Sequence, residues 1–463
     1  MSVNTNMVIP EGIHQQLHKH LFPGDGKESA AILLCNRNEG SRLKLLVKEI
    51  IQVPDDECES RKNDFISWPG LYLEKAIDAA ETASMSIILV HSHPGGLFEF
   101  SQFDDASDAI TIPALYQGVN ALHGSAIMIP DGRIRARFYS EGINVQDVDL
   151  VSVPGDDICL WRPNDEVLQK EVIAFTSGMT SCFSHLTAAV IGVSGTGSIV
   201  AEQVTRLGFG KILLVDDDHI EKKNLNRILN ATQEDASHNV SKVEMFAAAV
   251  SRIRGENVAT AIHSSILARD AVLAVADADV IFSCVDSYQG RMIADRISSA
   301  FLIPLLDVGV KIPTHIEPED GLKITDVSGR IDYVKPGGAT LLDREVYTPA
   351  LLHGEMIAKM QPELHEQQLA QGYITGIQEE APSVITLNMR AASACVSEFI
   401  ARCFPFREDS NGHFSRTRFS LAGADEDFYK EDAFSKRKNL LLAEGCSDPL
   451  LGMPELRAAK CIL

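Results

Sequence analysis

No C-x-x-C pair occurs anywhere in the 463 residues, although the chain has nine cysteines. A thiolate zinc ribbon is built on such pairs, so that class is excluded. The cysteines are odd in number and widely spaced, as at Cys35, Cys58, Cys159 and Cys182, which is no disulfide framework. No uninterrupted apolar run approaches the ~20 residues that span a bilayer. The N-terminus, MSVNTNMVIPEGIHQQ, lacks the basic-then-apolar layout of a signal peptide, so a cytoplasmic protein with no membrane partner is expected. Positive charge is also short: 42 Lys+Arg face 64 Asp+Glu, a net charge of −22. That field opposes approach to nucleic acid, which is set aside as a partner. Internal repeats and low-complexity tracts are missing, and 45% hydrophobic with 23% charged residues is the composition of an ordinary globular chain.

The length asks for two or three domains. Short apolar runs at 30–35, 43–53, 86–90 and 125–129, with a helix-like stretch at 70–84, predict a compact α/β unit over residues 1–150. The turn-rich SVPGDD (152–157) marks a boundary, and a second unit is expected over 160–463. Residues 163–185 look helical. From 187 to 310, strands and helices alternate, which predicts a doubly wound, mainly parallel sheet. An antiparallel portion is expected around 311–335, a loop-rich stretch over 336–380 and a helix over 381–404.

The run HSHPGGLFEFSQFD (91–104) directly follows an apolar strand. Alternation along a strand sends His91 and His93 from one face. Seven residues separate His93 from Ser101, and the S-x-x-D spacing returns Ser101 and Asp104 to the same point one helical turn apart. Two nitrogens and one oxygen leave a fourth position open, as in a catalytic zinc site. The pattern H-x-H-x(7)-S-x-x-D resembles the JAB/MPN (JAMM) metalloprotease family, whose members cleave peptide or isopeptide bonds after ubiquitin-like proteins. The resemblance covers roughly residues 10–140. It implies zinc on His91, His93 and Asp104, with Glu28, just ahead of an apolar strand, as general base and Ser101 as a donor to the oxyanion. Glu11 and Glu49 lie near other early apolar runs and compete with Glu28 for the role.

The turn AVIGVSGTGS (189–198) spaces Gly192, Gly195 and Gly197 by three and then two, unlike the G-x-G-x-x-G of dinucleotide enzymes. A glycine turn between strand and helix turns backbone N–H groups toward phosphate whatever the nucleotide. The residues that follow are more specific: LLVDDDHIEKKNLNRILNAT (213–232), Lys242 in SKVE, and Asp286 in FSCVD. Together they resemble the adenylating domain of ubiquitin-activating enzymes and their bacterial relatives in molybdopterin and thiamine biosynthesis. The resemblance implies ATP and magnesium: Asp216 on the ribose, Asn224, Arg227 and Lys242 on the triphosphate, Asp286 on the metal. Charge spreading over departing pyrophosphate calls for such cations, whereas nicotinamide chemistry has no use for them.

Three departures from that pattern stand out. Ser194 replaces a glycine usual in the loop. Thr340 and Asp343 stand where many relatives carry the first C-x-x-C pair of a structural zinc. Arg162 aligns only weakly with an arginine that reaches ATP across a dimer. The thioester cysteine of ubiquitin-type relatives stays open: Cys284, Cys395 and Cys403 read as core, while Cys446 and Cys461 lie in loop-like sequence.

A protease for ubiquitin-like C-termini joined to an enzyme that adenylates them implies one shared partner, a ubiquitin-like protein. A homodimer through 160–463 is expected, with a conjugating enzyme as a further candidate partner. Three alternatives stay open: sulfur-carrier activation with peptidase trimming, an inactive docking module in the first domain, and an NAD-binding scaffold.

Overall fold

The computed structural model describes residues 4–140, 144–163, 174–317, 321–360, 384–437, 439, 442–449, 451–453 and 456. The chain divides into two compact units, one of Met1–Leu168 with Ala300–Leu302 and Glu444–Asp448, the other of Gln169–Ser299, Ile303–Ala443 and Pro449–Leu463. Among the described residues, no helix is long and apolar enough to cross a membrane.

The first unit begins with β1 (Thr5–Val8), helix α1 (Glu11–Leu21), β2 (Ala30–Glu39), β3 (Leu43–Gln52) and a small hairpin, β4 (Ser60–Arg61) with β5 (Ile66–Ser67). Helix α2 (Leu71–Glu81), β6 (Ser86–Ser92), α3 (Gln102–Gly118), β7 (His123–Met128) and β8 (Ile134–Tyr139) follow, then β9 (Val145–Asp147), β10 (Leu150–Pro154) and β11 (Ile158–Trp161). The nine-stranded sheet has the order β11-β10-β1-β3-β2-β6-β7-β8-β9. Ala30–Cys35 of β2 are all buried because both faces of the sheet are covered. Leu17 and Leu21 of α1 pack on one face, and Tyr72 and Ala76 of α2 with Ile112 and Leu115 of α3 on the other. A strand buried on both faces reads as a continuous apolar run, as the sequence does here. SVPGDD is the tip of the β10–β11 hairpin, which pairs with β1, so its Pro and Gly serve a turn inside the sheet.

The second unit holds β12 (Thr187–Ile191), β13 (Lys211–Val215), β14 (Ala259–Ile262), β15 (Val280–Ser283) and β16 (Leu305–Lys311). After a β17–β18 hairpin (Thr314–Glu317, Gly321–Ile324) come β19 (Ser328–Val334), β20 (Arg416–Ser420) and β21 (Asp425–Tyr429). The sheet order is β14-β13-β12-β15-β16-β19-β20-β21, with the first five strands parallel and the rest antiparallel. Strand β12 lies between β13 and β15, so the winding reverses beside it and a crevice opens at the carboxyl ends of these strands. The expected doubly wound architecture is present. Its antiparallel part is larger than the 311–335 reading, because β20 and β21 join from far along the chain. Of the helix expected at 163–185, residues 164–173 lie outside the described residues, and Ser177–Phe183 is helical. The later helix runs Ile385–Cys403, residues 381–383 lying outside the described residues.

Thr340 and Asp343 close a turn on each other. The Thr340 N–H and hydroxyl donate to Asp343 Oδ2 at 3.0 and 2.9 Å, and the Asp343 N–H returns to Thr340 Oγ1 at 3.1 Å. The next residue, Arg344, is 3% exposed and bonds Asp332 Oδ1 at 3.3 Å and Glu431 Oε2 at 2.7 Å. Hydrogen bonds and ion pairs thus tie this segment to β19. Removing one partner of a buried pair strands the other charge, so Arg344→Ala is expected to destabilise this unit by about 3–5 kcal/mol in urea unfolding.

Candidate functional site

Strand β6 delivers His91, and the chain runs on beside β7, His93 N–H donating to Met128 O at 2.8 Å. The two imidazoles therefore leave the same face, with their Nε2 atoms 3.0 Å apart. Asp104, in the first turn of α3, puts Oδ1 3.1 Å from His91 Nε2 and Oδ2 3.5 Å from His93 Nε2. Zinc bonds of about 2.0–2.1 Å in a tetrahedron place ligand atoms about 3.3–3.4 Å from one another, which the three separations bracket. His93 Nδ1 lies 2.8 Å from Leu97 O, which fixes Nδ1–H as donor and leaves the Nε2 lone pair facing the centre. Burial opposes ionisation of Asp104, but the adjacent His91 and His93 imidazoles outweigh it and hold the carboxyl well below its usual range. For His93, burial pulls the pKa down, and the bonds to Asp104 and the Leu97 carbonyl raise it further than burial lowers it. The donor set fits zinc.

Ser101 caps α3 in a reciprocal box: its N–H donates to Asp104 Oδ2 at 2.6 Å, and its Oγ accepts the Asp104 N–H at 3.2 Å. The box orients Asp104 and leaves the Ser101 hydroxyl proton available. Register brings in Glu28. Ala30 pairs with His91, and Ser29 and Ser92 exchange bonds at 2.9 and 3.0 Å, so Glu28 falls opposite His93. Its carboxylate and the two imidazoles lie within 4.8 Å of one another. Burial raises the Glu28 carboxyl above its usual range against the pull of His91 and His93. Glu11 instead accepts the Asp156 N–H at 3.1 Å, and Glu49 is exposed on β3. A cleft of about 280 Å³ opens beside the site, walled by Trp68, Leu73 and Phe103. At its floor is a cluster the sequence reading missed: Asp108 accepts from Ser125 Oγ, from Arg137 Nη2 at 2.7 Å and from Tyr139 Oη at 2.7 Å. These contacts pin α3 to β8, and only the fold brings them together.

In the second unit, the glycine turn joins β12 to the helix Gly195–Leu207. Gly192 has φ +85°, and a Cβ there would lie 3.0 Å from Cys284 O. At Gly197 a Cβ would meet Gly192 O at 1.7 Å, so the turn closes only on glycine. Gly197→Ala is therefore expected to abolish ATP binding, measured by calorimetry, and to lower the melting temperature. At Gly195 a Cβ would come 3.2 Å from Arg227 Cδ and 2.4 Å from Asn388 Nδ2, which sets both side chains at the start of this helix. Asn388, on the helix Ile385–Cys403, had no signal in the sequence. No side chain caps the Gly195 helix, whose first N–H groups fit a phosphate.

Asp216 follows β13 and accepts N–H bonds from Val193 at 2.7 Å and Asp218 at 2.9 Å. Burial raises its pKa against the pull of Lys242. The buried Lys242 lies 3.7 Å from Asp216 Oδ1 and bonds Asp218 Oδ2 at 2.6 Å, making Asp218 a second unforeseen neighbour. Asn224 is buried, its Oδ1 accepting the Glu221 N–H at 3.0 Å. Arg227 Nη1 donates to Lys223 O at 2.9 Å and Asn226 Oδ1 at 3.1 Å. Asp286 is exposed in the loop after β15, two residues beyond the Cys284 carbonyl that abuts Gly192. The residue types and their placement fit ATP with magnesium.

Burial drives the Cys284 and Cys395 thiols far up in pKa, away from nucleophilic character, and Cys403 is buried as well. Cys446 Sγ lies 2.8 Å from Lys48 Nζ, and Cys461 lies outside the described residues.

Residues 10–139 match the model of prokaryotic homologs of the JAB domain, and residues 171–319 match that of the ThiF family. Ubiquitin-like modifier-activating enzyme 5 of Caenorhabditis briggsae is 30% identical over 162 residues, 33% of this chain and 34% of that protein. The enzyme of the same name from Xenopus laevis is 30% identical over 166 residues, 33% of this chain and 37% of its own length. The chain thus spans about a third of the length of these relatives. A crystal structure of E. coli MccB with ATP is similar at 16% identity and a TM-score of 0.41, covering 55% of this chain and 66% of that one.

Proposed function

We propose, for a chain that joins a prokaryotic JAB-type domain to a ThiF-family domain, that it is a bifunctional enzyme acting on the C-terminus of a ubiquitin-like protein. One unit cleaves the peptide or isopeptide bond that follows the modifier's terminal glycine. The other activates the exposed carboxylate with ATP. The observation that supports this reading is the presence, on one chain, of three side chains at zinc-ligand spacing with a buried carboxylate beside them and of a glycine turn with Arg227 against it.

In the hydrolytic unit, zinc on His91, His93 and Asp104 would supply Lewis acidity, lowering the pKa of a water to about 7. Glu28 takes a proton from the attacking water and delivers it to the leaving amine. The Ser101 hydroxyl donates to the oxygen that gains charge as the carbonyl becomes tetrahedral. The apolar walls of the cleft take up the extended chain on the way in.

In the adenylating unit, Asp216 holds the ribose hydroxyls and the N-terminus of the Gly195–Leu207 helix receives phosphate. The modifier's carboxylate oxygen forms a bond to the α-phosphorus, and the bond from that phosphorus to the β-phosphate bridging oxygen breaks, releasing pyrophosphate. Asn224, Arg227 and Lys242 stabilise the charge gathering on the departing group, and Asp286 would hold the magnesium that accompanies it.

A direct test is cleavage of precursors made from ubiquitin-like proteins encoded in the same genomic neighbourhood, each extended past its terminal glycine. Cleavage at that glycine by the zinc-loaded protein, lost in Glu28→Gln with zinc content unchanged, supports the reading. Zinc content near zero in protein purified without chelator, or cleavage untouched by Glu28→Gln, refutes the hydrolytic half.

A further inference from the structure

The sheet of the second unit has a charged face that the chemistry above leaves unused. Alternation puts Asp307, Gly309 and Lys311 of β16 on one face. Register sets Asp332, Arg330 and Ser328 of β19 beside them, and Arg416, Arg418 and Ser420 of β20 beyond. The inner row is neutralised: Asp332 is bound by Arg330, Arg344 and Arg416, and Asp307 by Arg330 Nη2 at 2.6 Å.

Toward the carboxyl end of β16 the balance changes. Lys311 and Arg418 are exposed and join no ion pair among the described residues, although Asp427 of the edge strand stands in register with Arg418. A Cβ on Gly309 would lie 3.1 Å from Arg330 Nη2 and 3.3 Å from Arg291 Nη2, so two guanidiniums overhang bare backbone. Arg291 Nε is 3.4 Å from Asp307 Oδ2, within ion-pair range, yet this buried atom makes no hydrogen bond. Desolvation by its neighbours, then Arg330, Arg291 and Arg418, push the Lys311 pKa down. The acids nearby are already engaged, Asp307 by Arg330 and Arg291, and Asp326 by the Ser420 hydroxyl at 2.7 Å with Arg418 close enough to lower its pKa. In a protein of net charge −22 two exposed cations without ion-pair partners among the described residues suit a carboxylate from outside.

Its position suggests whose carboxylate. β16 lies two strands from the glycine-turn strand β12, and β19 three. At about 4.8 Å per strand, these are roughly 10 and 14 Å from β12, the span of about three or four residues of extended peptide. A substrate tail with its terminal carboxylate at the α-phosphate, running outward past Asp286, reaches Gly309 at that point.

We propose that Lys311 and Arg418 dock an acidic side chain of the substrate tail, three or four residues before its C-terminus, and so select the modifier. The tail's direction rests on the adenylation reading; the charge of the patch does not.

Two fluorescein-labelled dodecapeptides ending in Gly-Gly, with Glu or with Gln at the third and fourth positions from the end, test this on the full chain. Fluorescence anisotropy with a non-hydrolysable ATP analogue is expected to give the Glu peptide about tenfold tighter binding. Lys311→Glu with Arg418→Glu, both at exposed positions, is expected to erase the preference and to favour a peptide with Lys at the same places. Equal binding of the Glu and Gln peptides, no binding of either, or a preference that survives the double variant overturns the docking site. ATP–pyrophosphate exchange with the same peptides separates the two ideas. Equal exchange with both overturns the docking site alone, whereas charge-selective binding with no exchange overturns adenylation alone.

Discussion

His91→Ala is expected to remove zinc from the protein and to cut peptide cleavage by about a thousandfold or more, the loss of several kcal/mol of Lewis-acid stabilisation. ATP–pyrophosphate exchange is expected to stay within about twofold of the parent, because the nucleotide residues belong to the other compact unit. The variant leaves two of three ligands, His93 and Asp104, now without the third atom that sits 3.0 Å from one and 3.1 Å from the other. Asp104→Ala is expected to have the same outcome with an added cost. It also deletes the acceptor for the Ser101 N–H at 2.6 Å, loosening the start of α3 by about 0.5–2 kcal/mol. Asp104→Asn keeps much of the cap while weakening the metal site, so metal analysis of all three variants separates ligand loss from helix fraying.

The reciprocal result is expected from Arg227→Ala: pyrophosphate exchange falls by about 10²–10³, and zinc content and cleavage stay unchanged. Arg227 lies against Gly195 at the start of the phosphate-facing helix, steered by the Lys223 carbonyl and Asn226. Lysine there restores only part of the rate, since a point charge cannot replace the planar fork. Asp286→Ala is expected to lose exchange as well, with a steeper demand for magnesium, since Asp286 is exposed in the loop after β15, two residues beyond the Cys284 carbonyl that abuts Gly192. Loss of both activities from either set of variants would show that the two units depend on each other, and thermal melts of each variant would tell coupling from unfolding.

What the sequence revealed follows from how local each feature is. His91 and His93 sit two residues apart on one strand, and Ser101 and Asp104 span one helical turn, so short-range geometry suffices to aim them. Glu28 is different: it reaches the histidines through the antiparallel register of β2 and β6, a pairing across some sixty residues that spacing cannot reveal. Resemblance to a family supplied it. The glycine turn was legible as a turn, but its closest contact, Gly197 against Gly192 O, depends on how the helix leaves the strand. Asn388 and Asp218 were missed because helix packing and a side-chain bond place them. SVPGDD carried the signals of a linker and forms a hairpin tip, since Pro and Gly serve both. The Arg–Asp rows of β16, β19 and β20 were invisible in sequence, each charge reading as a solvated one until strand pairing stacked them.

The central claim, that one modifier passes through both units, is tested most directly by ATP–pyrophosphate exchange with a ubiquitin-like protein supplied as precursor and as the form cut at its terminal glycine. The account predicts exchange with the cut form for both the parent and His91→Ala, and exchange with the precursor for the parent alone. Equal exchange with the precursor in the presence and absence of His91, or exchange with neither form in a protein that holds zinc and binds ATP, would contradict it.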